Sequence, residues 1–188
     1  RKESSAASDV YKRQEFMNSG WTLPEKAFQW IENNIPFGSN IIELGSGHGS
    51  IRLSKNYNLW SVEHDEQWLN ISSSNYIHAE IVEFSKDGIE GRWYNPKKIT
   101  DSLPSEYSLL IIDGPPSTIG REGILANLDI FNWDCFVLID DTHRSNDKRV
   151  ANEIMLQKSL NELSFTEYFE PANVNREFVV LSSSKVIL

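Results

Sequence analysis

Cysteine is almost missing from this sequence: Cys135 stands alone in 188 residues. That excludes an internal disulfide and any cysteine-based zinc knuckle, and it points to a reducing, cytoplasmic setting. Long apolar runs are missing too. The longest are four or five residues, such as Leu109–Ile112 and Phe136–Ile139, against the roughly 20 needed to cross a bilayer. Positive charge is scarce, with 18 basic residues against 27 acidic and a net charge of −9. A chain that grips nucleic acid by its phosphates needs the opposite balance, so nucleic acid is a poor partner. What remains is 39% hydrophobic residues, near the globular norm, in a length suited to one α/β domain.

Arg1–Gln14 reads RKESSAASDVYKRQ, polar and without apolar periodicity. It resembles translated sequencing-adapter sequence; the alternative is a disordered N-terminal arm. Either reading removes it from the fold, which is assigned to a single domain over 15–188. The arm carries Arg1, Lys2, Lys12 and Arg13 against two acids, so the remainder is more acidic still.

Pro24–Ile35 reads as a helix with Thr22 as its cap and Ala27, Phe28, Ile31 and Ile35 at helical spacing. Asn40–Leu44 is a strand, Ser50–Asn56 a helix and Leu59–Glu63 a second strand. Asp65 caps a helix carrying Trp68, Leu69 and Ile71, and Tyr76–Val82 is a third strand. Gly88–Pro104 is a long connection holding Trp93 and Tyr94, which either pack in the core, cover an adenine or stack on an acceptor ring. Tyr107–Ile112 and Phe136–Ile139 are strands around a helical Gly123–Phe131. Asp147–Leu163 is a long helix burying Val150, Ile154, Leu156, Leu160 and Leu163. Strand–helix alternation with continuous apolar strands implies a parallel sheet covered on both faces. Phe165–Phe169 and Phe178–Leu181 are joined by too few residues for a crossover helix, so they form an antiparallel hairpin around Pro171–Asn175. Trp30 reads as helix packing, and Trp21 as helix packing or part of an N-terminal lid.

Two patterns carry chemistry. Glu43-Leu44-Gly45-Ser46-Gly47-His48-Gly49 joins a strand to a helix; glycines let a ligand approach backbone, and the helix start offers free N–H groups. Glu63 ends the second strand, where a carboxylate can accept both hydroxyls of an adenosine ribose. The spacing differs from the G-x-G-x-x-G of dinucleotide sites. The second pattern is carboxylates at strand ends: Asp113 after the fourth strand, Asp140 and Asp141 after the fifth. Crowded carboxylates need a cation, a proton or arginines, and oxygen donors favour Mg²⁺ or Ca²⁺ over zinc. Arg121 and Arg144, on the same rim, either clamp an anionic group of a substrate or neutralise Asp113 and Asp141. His143, two residues past an acid, is either a proton acceptor or a surface histidine. Gly114–Arg121 reads as one wall of an acceptor pocket.

The glycine motif, the strand-two acid and the terminal hairpin together resemble class I S-adenosylmethionine-dependent methyltransferases over Pro24–Leu188. The resemblance implies an α/β fold: a Rossmann-like doubly wound sheet, mostly parallel, with a C-terminal antiparallel β-hairpin. It implies that Glu43, Gly45, Ser46, Gly47, His48 and Gly49 line the methionine part of S-adenosylmethionine, with Glu63 on the ribose and His64 beside the adenine. Ala79 or Glu80 would touch the adenine, and Asp113 would sit beside the methionine end or the substrate. The strand-end aspartates are similar to those of catechol and macrocin-type O-methyltransferases, which implies Mg²⁺ on Asp113, Asp140 and Asp141. The flanks Gly114-Pro115-Pro116 and Thr142-His143-Arg144 depart from the catechol enzymes. Without a metal, His143 or Asp113 takes the acceptor's proton, and Asp141 remains a candidate catalytic group. The expected activity is O-methylation of a small molecule or saccharide. The rivals are methylation of RNA or protein, a non-catalytic S-adenosylmethionine-binding protein and a nicotinamide oxidoreductase. The oligomeric state is not written in the sequence.

Overall fold

A computed structural model describes residues 22–86 and 88–184; the Arg1–Gln14 arm and Trp21 lie outside them. Helix α1 (Glu25–Asn34) leads into β1 (Asn40–Leu44), α2 (His48–Leu53), β2 (Asn58–Glu63) and β3 (Asn75–His78). Strands β4 (Ile81–Lys86) and β5 (Ile89–Tyr94) follow, then α3 (Pro96–Thr100), β6 (Leu109–Ile112) and a 3₁₀ run over Glu122–Ile130. Strand β7 (Phe136–Ile139), α4 (Ser145–Lys158), β8 (Asn161–Phe169) and β9 (Val174–Ser182) complete the chain.

Seven strands form one sheet in the order β3-β2-β1-β6-β7-β9-β8. The first five are parallel, while β9 runs antiparallel to both β7 and β8. The mixed sheet and its terminal hairpin match the expectation from the sequence. Period-two alternation sorts the apolar residues onto two faces. Ile41, Leu109, Ile111 and Leu138 pack under α1 with Phe28, Ile31 and Phe178. Ile42, Leu44, Leu110, Ile112 and Ile139 face the other side, against Trp93, Tyr94, Ile124, Val150 and Ile154. Trp30 packs edge-on to Phe136 as read, at 5.1 Å between ring centroids.

Four local readings change. Strand β3 ends at His78, and Ile81–Lys86 pairs instead with Ile89–Tyr94 in a separate antiparallel hairpin; the connection therefore holds a strand and α3. The helix after Asp65 is only the 3₁₀ turn Glu66–Trp68, although Asp65 does cap it by accepting from Gln67 N at 2.9 Å. Helix α1 starts after Pro24 without a side-chain cap, so Thr22 does not cap it. Helix α4 stops at Lys158, where Ser159 turns left-handed (φ 54°), so Leu163 lies in a strand, and Leu156 within the helix is 68% exposed rather than buried.

Candidate active site

The sheet's strand order reverses at β1, which lies between β2 and β6. In open α/β sheets ligands bind beyond the carboxyl ends of the strands at such a switch point. The turn after β1 touches the turn after β6 closely. Gly45 has φ +93°, and a Cβ on Gly114 would lie 2.7 Å from Gly45 Cα and 2.4 Å from the Tyr94 hydroxyl. Neither backbone could approach the other with side chains in place. Glu43 is buried beneath the turn and accepts from the hydroxyls of Ser50 and Ser61. Ser50 Oγ in turn accepts from Gly47 N at 3.0 Å, so the chain Glu43–Ser50–Gly47 holds the turn's shape. Burial pushes the Glu43 carboxyl up to about 7.

Above the turn lies a cavity of about 260 Å³. Gly45, Ser46 and Gly47 form its floor, Glu63 and His64 one wall, Asp113 and Asp141 the other. Glu63 is 4% exposed and accepts from Ser46 N and Asp65 N, both at 2.8 Å; His64 Nδ1 lies 2.7 Å from its Oε1. A carboxylate gripped by backbone N–H groups is pre-oriented for hydroxyl donors arriving from the cavity.

The opposite wall is a network of four carboxylates and three arginines. Arg121, 3% exposed, donates to the carbonyls of Asp140 (2.8 Å) and Asp113 (2.6 Å) and to the side chains of Asp113 (3.2 Å) and Asp141 (3.1 Å). Arg144 pairs with Asp141 at 2.8 Å, and Arg176 with Asp140 at 2.7 Å. Asp147, in the first turn of α4, sits 3.6 Å from Arg121 Nε. Burial raises Asp113 to about 6 against the pull of Arg121, and it holds Asp140 well above the usual carboxylate range, with Asp113 and Asp141 adding repulsion.

The structure thus brings Gly45, Ser46, Gly47, Glu63, His64, Asp113, Asp141, Arg121 and Arg144 to one cavity. Asp140 lies buried beside it. His48 and Gly49 turn away to a second groove of about 630 Å³ between α1, α2 and the tip of the terminal hairpin. Glu43 supports the turn from below. Ala79 is fully buried, with its N–H on Glu63 O, and Glu80 is exposed against Asn95; neither lines the cavity. His143 is exposed outside the lining, its Nδ1 3.5 Å from Glu177 N. Trp93 and Tyr94 are core residues, at 1% and 0% exposure. Pro116 and Ser117 do wall the cavity. Arg176, Asp147 and Trp68 were not singled out from sequence. Arg176 shares strand parity with buried Phe178 and Val180, and Asp147 shares a helix face with Val150, Ala151 and Ile154; a charge in register with a core stripe was the available signal.

This strand order, with the crevice at its switch point and an antiparallel last strand, is the class I methyltransferase fold. No family model matches the chain, and no curated protein matches it. Solved structures do. An O-methyltransferase from Bacillus cereus in complex with SAH superposes with a TM-score of 0.62 at 11% identity, covering 96% of this chain and 91% of that one. An rRNA methylase from Streptococcus thermophilus gives 0.53 at 13% identity over 84% of this chain and 94% of that one. The Mtq2–Trm112 complex of E. cuniculi, responsible for methylation of the eRF1 translation termination factor, gives 0.51 at 15% identity over 87% and 99%. Targets as unlike as rRNA and a translation termination factor on one scaffold mean that the likeness carries the fold, and the site has to carry the function.

Proposed function

We propose that this chain transfers a methyl group from S-adenosylmethionine to a hydroxyl of a small molecule or saccharide, in the cytoplasm. The observation that carries the reading is one cavity bounded by Glu63 at one end and Asp113 at the other, floored by the glycine-rich turn Gly45-Ser46-Gly47. The donor set fits the cofactor: Glu63 for ribose hydroxyls, His64 beside the base, and the Gly45–Gly47 backbone for the methionine end. The cofactor supplies a methyl carbon on a positively charged sulfur. With it bound, an acceptor oxygen placed in line would form the C–O bond as the C–S bond breaks, the electron pair of the broken bond staying on sulfur. The hydroxyl proton goes to the carboxylate of Asp113, which reaches the cavity; exposed His143 does not. Much of the rate then comes from placement, with Arg144 at the rim to orient the acceptor. The net charge of −9 weighs against an RNA acceptor.

Calorimetric titration with S-adenosylhomocysteine tests the cofactor half. Glu63→Ala removes charge-assisted hydrogen bonds worth roughly 1.5–3 kcal/mol and should weaken binding about tenfold or more; unchanged affinity refutes the assignment. Turnover across a panel of hydroxyl acceptors tests the other half. Asp113→Asn should bind the product cofactor normally yet lose roughly 10²-fold or more in rate, while His143→Ala keeps its rate. Binding without turnover on any acceptor would favour a non-catalytic role.

A further inference from the structure

One oxygen each from Asp113, Asp140 and Asp141 falls within 4.8 Å of the others, close enough to share a cation. One oxygen of each nevertheless already faces a guanidinium. Asp140 Oδ2 faces Arg176 Nη2 at 2.7 Å, and Asp141 Oδ2 faces Arg144 at 2.8 Å and Arg121 at 3.1 Å. Asp113 Oδ1 faces Arg121 at 3.2 Å. The arginines arrive from three separate places: the loop after β6, the start of α4, and β9. Asp140 Oδ1 is buried without a hydrogen-bond partner, but Asp140 is 0% exposed, and a magnesium ion there could not keep the waters it usually retains.

We infer that Arg121, Arg144 and Arg176 stand where a divalent cation would, and that this chain takes no such ion at its three strand-end aspartates. A dication placed among these carboxylates would face three guanidinium charges at close range, and like charges repel inversely with distance. Arg121 cannot leave to make room, because it is 3% exposed and also ties the main-chain carbonyls of Asp113 and Asp140. The guanidiniums do part of a cation's work, since they screen the carboxylates from one another and fix Asp113 against the cavity. They do not present open coordination positions. Resting on the methyl-transfer reading, the consequence is that no metal polarises the acceptor hydroxyl, and Asp113 takes its proton unaided.

The test is titration of the full chain with Mn²⁺, read by the resonance signal of the free ion. The wild type should show no stoichiometric site up to about 1 mM, the weak end of protein divalent sites; binding that survives Asp141→Asn lies elsewhere and leaves the inference standing. Stoichiometric binding that Asp141→Asn abolishes overturns it. Arg144→Met removes the half-exposed guanidinium, and the folded variant should bind Mn²⁺ at least tenfold more tightly than the wild type. A folded variant with no gain would show that the arginine charge is not what excludes the ion, and the assignment would fall. The readout needs no cofactor, so a failure here is separate from a failure of S-adenosylhomocysteine binding.

Discussion

Glu43 shows how a single residue can serve a site without entering it. Its carboxyl lies under the glycine turn, held by Ser50 and Ser61, and burial raises it from 4.5 to about 7. The sign of the linkage follows from proton counts. Below about pH 4.5 the group is protonated in both folded and unfolded chains. Between there and pH 7 the folded chain keeps a proton that the unfolded chain has lost, so stability falls as pH rises, by about 3 kcal/mol in all for a shift of this size. Glu43→Gln cannot titrate. Its loss of stability between pH 4.5 and 8, from urea unfolding, should be smaller than the wild type's by about that amount; parallel pH curves would disprove the assignment. The acid was visible in the sequence as part of the glycine motif, but its direction was not. Motif spacing reports which residues share a turn, whereas serine partners from α2 and β2 decide where the carboxyl points.

At the scale of elements, the five parallel strands and the terminal hairpin were legible because buried strands are apolar runs bounded by glycine and acid. The β4–β5 hairpin was not. One of its faces carries Glu83, Ser85, Glu90 and Arg92, which interrupt any apolar run, while Phe84, Ile89 and Trp93 on the other pack against the core. The end of α4 was hidden for a different reason. Leu160 and Leu163 suit helical spacing after Ile154 and Leu156, yet Ser159 closes the helix in the left-handed region and Leu160 N returns to Met155 O at 2.9 Å. That closure usually falls to glycine, and serine gives no stop signal. A Cβ in this conformation costs about 1–2 kcal/mol, partly offset by the extra freedom glycine brings to the unfolded chain. Ser159→Gly should therefore stabilise the protein by about 0.5–1 kcal/mol in chemical denaturation. A destabilised variant would mean that the serine side chain contributes more than its backbone costs.

Across the whole molecule, Arg176 joins parts that are far apart in sequence. From β9 it donates to Thr22 O at 2.8 Å, where the described chain begins, and to Asp140 at the end of β7, and it lines the cavity. The terminal hairpin thus reaches the site by one side chain, and the antiparallel direction of β9 makes this possible. Val179 pairs with Ile139, so Arg176, before it in the chain, extends past the carboxyl end of β7 toward the crevice. A parallel last strand would leave the corresponding residue at the opposite edge. Asp140 and Arg176 are both buried, at 0% and 8% exposure, so removing one partner strands the other. Breaking a buried pair typically costs about 3–5 kcal/mol. Here burial already raises the Asp140 carboxyl, and it can take a proton once its partner is gone, which places Arg176→Met at the lower end, about 3 kcal/mol. Asp140→Asn removes the charge that Arg176 answers. If the two side chains act as a pair, the double variant should be more stable than the sum of the single losses predicts, by about 1 kcal/mol or more. Unfolding free energies of the wild type, both single variants and the double variant complete the cycle. Strict additivity would show that Arg176 serves Thr22 and the cavity rather than Asp140, and that the hairpin is held to the sheet by the β7–β9 ladder and its apolar stripe without this pair.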